Sequence, residues 1–215
     1  MRVKELNNKV AHVAWSPQVI YPTYIAAGTA AEQLDSSFST KAHLELLKLD
    51  LTNPSTDLEV SASLETDTRF AKLIWTNSEN NLIIGGGENS KIYLFDYTKI
   101  LNNEKGGCVV QTLDKHVTGS VSALDINPFQ KNLLASGGSS SEILIWDLNN
   151  TETPMTPGAK IQPLDDINCV AWNNQVPHIL GSTCSGKCVV WDLRKNESII
   201  KVSFPFSFCF YMVLG

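Results

Sequence analysis

Residues 114–147 read DKHVTGSVSALDINPFQKNLLASGGSSSEILIWD, and the fold is decided by how they are parsed. Three apolar runs, 121–127, 133–138 and 142–147, are separated by Pro128-Phe129-Gln130 and by the small residues from Ser136 onward. Period-two alternation bounded by Gly, Ser and Asn is the signal of strands. The stretch closes on Trp146-Asp147-Leu148, and three others close alike: Leu49-Asp50-Leu51, Phe95-Asp96-Tyr97 and Trp191-Asp192-Leu193. Their aspartates lie 46, 51 and 45 residues apart. Each ending follows an apolar run, which in turn follows small residues expected to form a turn: Gly28-Thr29, Gly85-Gly86-Gly87, Ser136-Gly137-Gly138 and Gly181-Ser182-Thr183. The chain is therefore an internal repeat, and a period in this range marks a propeller or array rather than a conventional layered domain.

Four strands are expected in each unit. They fall at 10–15, 24–29, 44–51 and 58–64 in the first unit, and at 70–75, 81–86, 91–96 and 109–113 in the second. The third unit has 121–127, 133–138, 142–147 and a weak 159–164; the fourth has 167–172, 178–183, 187–192 and 198–203. No ten-residue stretch carries a helical period. Residues 151–163, which include Pro154, Pro157 and Pro163, are expected to be a loop. Four strands per unit ending in Trp-Asp is the WD-repeat pattern, so the fold class is all-β, a WD-repeat β-propeller with blades at about 10–64, 70–113, 116–164 and 167–203. A short alternating segment at 2–6 reads as a closing strand.

Within such a blade a His, a Ser, an Asp and the Trp are expected to share hydrogen bonds. His116, Ser136 and Trp146 fit three of these roles, and the expected Asp position reads Ser140, which would leave the set incomplete. Asp50, Asp96, Asp147, Trp191 and Asp192 are the other repeat positions, all with structural roles. An interaction loop is expected at 30–41, about a dozen residues longer than its counterparts, with Glu32, Gln33, Leu34, Asp35 and Phe38 as candidates for contact.

Composition narrows the function. The 215 residues carry 17 basic and 22 acidic side chains, a net charge of −5, and no cluster of four Lys or Arg. This balance argues against binding nucleic acid by phosphate neutralisation. Five cysteines at irregular spacing do not form a disulfide framework, and a reducing compartment is expected. Met1–Asn8 lacks the apolar core of a secretory signal, and the longest apolar stretch, 202–215, is too short to span a bilayer.

Motifs that suggest chemistry dissolve on inspection. Gly181–Lys187 matches G-x-x-x-x-G-K, but a phosphate loop must open a helix, and here Val189-Val190-Trp191 continue as a strand. Gly85-Gly86-Gly87 is followed by a strand as well, not by the helix of a dinucleotide site. Cys184 and Cys188 have no second ligand pair for zinc. No catalytic residue, cofactor site or metal site is expected, and the chain reads as a non-enzyme.

A closer resemblance rests on longer stretches. Trp15-Ser16-Pro17 with AAGTAAEQLDSSFSTKAHLELLKLDL (26–51), GGGENSKIYLFD (85–96), WDLNNTETPMTPGAKIQPLDDINCVAWN (146–173) and VVWDLRKNESIIKVS (189–203) resemble the larger WD-repeat subunit of the outer COPII vesicle coat. The resemblance implies a scaffold whose propeller contributes to cage vertices in transport from the endoplasmic reticulum to the Golgi. It also implies a peripheral, cytosolic-face location at exit sites. The expected partners are other outer-coat subunits at the vertices. A smaller WD-repeat companion and the inner coat are expected as partners of the longer family members only. It implies seven blades, of which four are present here, and it leaves the Phe-rich 204–215 as an atypical tail, suggesting a truncated product or a short isoform. The rival readings are a generic WD-repeat adaptor and, more remotely, a hydrolase built on a propeller.

Overall fold

A computed structural model describes residues 10–20, 22–31, 41–50, 58–77, 82–104 and 106–203. Among the described residues sixteen strands form four sheets, each of four antiparallel strands in sequential order. The first sheet is β1 (Ala11–Trp15), β2 (Tyr24–Thr29), β3 (Ala42–Lys48) and β4 (Glu59–Thr66). The second is β5 (Phe70–Trp75), β6 (Ile83–Gly87), β7 (Ile92–Phe95) and β8 (Val109–Leu113), with a short helix α1 (Tyr97–Leu101) between its last two strands. The third is β9 (Ala123–Ile126), β10 (Leu133–Gly137), β11 (Ile143–Asp147) and β12 (Asn150–Met155). The fourth is β13 (Cys169–Trp172), β14 (Ile179–Cys184), β15 (Lys187–Asp192) and β16 (Glu197–Ser203). The chain divides into two compact units, the first built on β1 to β8 and the second on β9 to β16.

Alternation in the sequence becomes two buried faces in the structure, because successive side chains of a strand point to opposite sides of the sheet. In the first unit Ala14, Ala26, Leu44, Leu46, Phe70, Leu73, Ile83 and Phe95 form one buried cluster. Phe70 and Phe95 meet edge to face, with ring centroids 6.0 Å apart. In the second unit Ala135, Ile143, Ile145, Ile167, Val170, Trp172, Leu180, Val189 and Trp191 form the equivalent cluster. Each fully buried aliphatic or aromatic side chain here contributes roughly 1.5–3 kcal/mol of transfer free energy.

Three expectations are corrected. The fourth strand of the third sheet is Asn150–Met155, not 159–164. Its pairing with β11, Asp147 to Asn150 and Ile145 to Met155 across a register shift, begins directly after a tight turn. Pro154 is tolerated because β12 is an outermost strand, where a missing N–H breaks no inner ladder. Residues 159–164 are irregular and include a cis Gln162–Pro163 bond. The small-residue stretches expected as turns are instead largely the ends of β2, β6, β10 and β14; the chain reverses just after them. At 184–187 the reversal takes two residues, Ser185 (φ 33°) and Gly186 (φ 71°), with Cys184 paired to Lys187. Positive φ at both central residues matches the twist of the flanking strands, so the phosphate-loop lookalike is a hairpin. Helix α1 was not expected; Asp96 caps it by accepting from the Thr98 N–H at 2.9 Å.

The segment 2–6, the candidate loop residues Glu32, Gln33, Leu34, Asp35 and Phe38, and the tail 204–215 lie outside the described residues.

Candidate functional site

The densest polar arrangement among the described residues sits inside the third sheet. Ser136, on β10, is fully buried, and its Oγ accepts from the Trp146 Nε1–H of β11 at 2.7 Å. His116 approaches from the segment before β9. Its Nε2 lies 2.7 Å from Ser136 Oγ, and its Nδ1 lies 2.8 Å from Glu142 Oε2. The same Oε2 accepts from the Val117 N–H at 3.1 Å. With a neutral ring, one proton arrangement satisfies every group. Ser136 Oγ accepts from the indole and donates its own hydrogen to Nε2, so Nδ1 carries the ring proton and donates it to the carboxylate. Burial favours this neutral form, pushing the His116 pKa below the ordinary histidine value and outweighing the upward pull of the Glu142 hydrogen bond and charge.

Ser140 therefore does not take the acidic place in this network. The carboxylate comes from Glu142, two residues later and one methylene longer than an aspartate. The turn is shaped to deliver it: Ser140 and Ser141 both adopt positive φ, 56° and 53°, a costly conformation for residues with a Cβ. Ser141 is held there from outside the sheet. Its N–H donates to Asp165 O at 2.5 Å, and its Oγ accepts from the Asp165 N–H at 3.1 Å. The segment that precedes β13 thus clamps the turn that aims Glu142, and Lys160 of the same segment places its Nζ 3.7 Å from Glu142 Oε1. Lys187 Nζ bonds the Gln162 carbonyl and pins the segment again.

Serine, histidine and carboxylate in a row resemble a hydrolytic triad, but the chemistry differs. A nucleophile needs a free lone pair and access to substrate. Ser136 Oγ is buried, and one of its lone pairs is taken up by the indole.

The fourth sheet repeats half of the arrangement. Trp191 Nε1–H donates to Ser182 Oγ at 2.9 Å. In the second sheet both partners are gone together, since the register puts Gly85 in the place of Ser136 and Phe95 in that of Trp146.

The repeated aspartates share a different geometry. Asp96, Asp147 and Asp192 each accept from the backbone N–H two residues on: Thr98 at 2.9 Å, Asn149 at 3.0 Å and Arg194 at 3.0 Å. A short carboxylate that folds back on its own backbone is a turn former, which explains why Asp recurs at the end of the third strand. Asp147 also accepts from Asn132 Nδ2 at 2.8 Å, and that bond leads the forces lowering its pKa. Asp192 accepts from Arg194 Nη2 at 3.0 Å, and the Arg194 side chain holds its carboxyl below the usual range. Burial pulls the Asp96 carboxyl upward, but the hydrogen bonds from Thr98 and Lys99 prevail and its pKa falls. Asp50 is exposed just beyond β3.

Cys184 and Cys188 occupy opposite faces of their sheet. Cys184 belongs to the core cluster, whereas Cys188 lies across from Thr183 on the other side. Burial raises both thiol pKa values, keeping them protonated. Among the described residues no three His, Cys, Asp or Glu side chains converge to hold a metal, and no helix is long and apolar enough to cross a membrane.

With this geometry in place, three comparisons bear on identity. The family described as "WD domain, G-beta repeat" matches residues 107–147, the stretch that contains the full polar network. The chain is 53% identical over 211 residues to the protein transport protein Sec31A of Gallus gallus and 52% identical over the same length to that of Homo sapiens. Each alignment covers 94% of this chain but 17% of the relative, so the chain spans about a sixth of these relatives' length. A solved structure described as "COPII on membranes, outer coat vertex" superposes with a TM-score of 0.77 at 30% identity, over 92% of this chain and 51% of that one. The chain is a Sec31-like stretch of WD-repeat β-propeller, with four blades among the described residues.

Proposed function

We propose that this chain acts as a scaffold element of the COPII outer coat, its blades contributing protein-binding surface at cage vertices during transport from the endoplasmic reticulum to the Golgi. The observation that carries this is the agreement of sequence and fold along one length. The similarity to Sec31A runs through 94% of the chain, and the superposition on an outer-coat vertex structure through 92%. The partners are other coat proteins: outer-coat subunits at the vertex and, for the longer protein, the smaller WD-repeat companion and the inner coat. The place of work is the cytosolic face of the membrane at exit sites. The role is non-enzymatic, in keeping with the coat relatives, and among the described residues the row of side chains that looks catalytic is sealed in the core and held by an indole. The acidic balance of 22 against 17 charges disfavours nucleic acid as a partner.

The test is a coat reconstitution. A Sec31-type subunit carrying residues 10–203 in place of its own matching stretch is added to liposomes bearing inner coat. The expected result is co-sedimentation and a cage visible by electron microscopy. Binding to inner coat without cage formation would remove the vertex role from this stretch.

A further inference from the structure

Proline follows a side-chain hydroxyl at three places in this chain, Ser16-Pro17, Thr153-Pro154 and Thr156-Pro157, and the fold treats them differently. Ser16 is half-buried, and its Oγ accepts from the Tyr24 N–H at 2.9 Å. Thr156 is exposed, but Pro157 after it is buried and lines a small cavity with Ile143 and Trp191. Thr153 is exposed, and Pro154 beside it is half-buried. Both lie on β12, an outermost strand of the third sheet. β12 pairs with β11 at Asn150 and Met155, so residues 151–154 span the single residue Trp146 of the neighbouring strand. Four residues opposite one must bow out of the ladder. Glu152 and Met155, on either side of the dipeptide, are exposed as well. A following proline also holds the threonine backbone extended.

We propose that Thr153 is a phosphoryl acceptor for a proline-directed protein kinase. Such an enzyme takes a hydroxyl on an extended, accessible segment, followed by a residue that brings no N–H into its cleft. Thr153-Pro154 meets each requirement on the folded chain. The kinase must also draw several flanking residues toward itself, and a segment tied to its sheet by two pairs on one side opens at small cost. At Thr156 the same docking first pulls Pro157 out of the core, and at Ser16 it breaks the bond from Tyr24. In the reaction Thr153 Oγ1 attacks the γ-phosphorus of MgATP. The Oγ1–P bond forms, the bond to the β–γ bridging oxygen breaks, ADP leaves with the electron pair, and the hydroxyl proton passes to the kinase's catalytic aspartate. The product carries a charge of about −1.5 to −2. It stands beside Glu152, with no Lys or Arg in residues 146–159 to neutralise it. The modified strand is therefore an anionic mark suited to a partner that offers Arg or Lys. The inference rests on the fold alone and is independent of the coat assignment.

The test incubates the 215-residue chain, its fold checked by circular dichroism, with MgATP and a mitogen-activated protein kinase, and maps the products by peptide mass spectrometry. One phosphoryl group is expected, on Thr153. Thr153→Ala and Pro154→Ala should each lower the initial rate about tenfold or more. Thr153→Ser, which keeps the hydroxyl, and Thr156→Ala should leave the rate within about threefold. Ser16 serves as the internal reporter of the fold, because its proline dipeptide is open to the kinase only when the chain is not folded. A native chain that stays unlabelled would overturn the proposal, whether or not a synthetic 147–160 peptide is labelled. So would label that appears first on Ser16 or Thr156, or a rate indifferent to Pro154→Ala.

Discussion

The second and third sheets solve one packing problem with opposite chemistry. In the third, Ser136, His116, Glu142 and Trp146 tie strands together through four buried polar groups, each with a partner. In the second, Gly85 and Phe95 occupy the serine and tryptophan places, and the space is taken by the ring of Phe70, which lies where a Cβ on Gly85 would be 2.4 Å away. Donor and acceptor vanish as a pair, because either one left alone in the core would cost its full desolvation. The difference teaches that the blade geometry does not require the polar network. It requires that every group placed there be matched, by a hydrogen bond or by a close apolar contact.

The largest blow to the comparison is Phe70→Ala. It empties a fully buried ring site between the first two sheets and should cost about 3–5 kcal/mol in urea unfolding; a loss under about 1 kcal/mol would mean the second sheet is not held by this ring. Next is Glu142→Ala, which strips His116 Nδ1–H and the Val117 N–H of their acceptor and should cost about 2–3 kcal/mol. Smaller and more telling is a conversion of the third sheet toward the second. Trp146→Phe and Ser136→Ala should each cost about 1–2 kcal/mol, and the double variant less than their sum by about 0.5 kcal/mol or more. Strict additivity would show that the indole and hydroxyl do not depend on each other. The smallest effect is a slope. Burial leaves the folded pKa of His116 below its unfolded value, so at low pH the unfolded chain takes up a proton that the native chain refuses. Stability should therefore fall as pH drops below about 6.5, and His116→Gln should flatten that part of the profile.

Much of this was legible in the residues. Inner strands announced themselves because one or both faces are buried, which forces alternation. The outermost strand β12 is largely exposed on both sides, so NTETPM carries no apolar pattern and its proline reads as a loop. Helix α1 spans five residues, too few for a period to show, although Asp96 before Tyr97-Thr98 was a usable capping signal. Ser136, Trp146 and His116 were found by position, but Glu142 was not. Its role depends on two serines in left-handed conformation, set by Asp165 from another segment, and no local pattern reports that. A carboxylate at the head of an Ile-Leu-Ile-Trp run was the one hint.

The proline that disguised β12 also governs how the molecule can grow sideways. A free strand edge is a template on which foreign strands crystallise out of solution one hydrogen bond at a time. On β12 that template is interrupted, since Pro154 offers no N–H and the register shift beside it skews the ladder. β16 also shifts register against β15, skipping Ile199, but it has seven residues without proline, with Ile199, Ile200 and Val202 facing water and Lys201 as the charge between Ile200 and Val202. Lacking that proline, the β16 edge at 197–203 is the more permissive of these two outermost strands for pairing with a foreign strand.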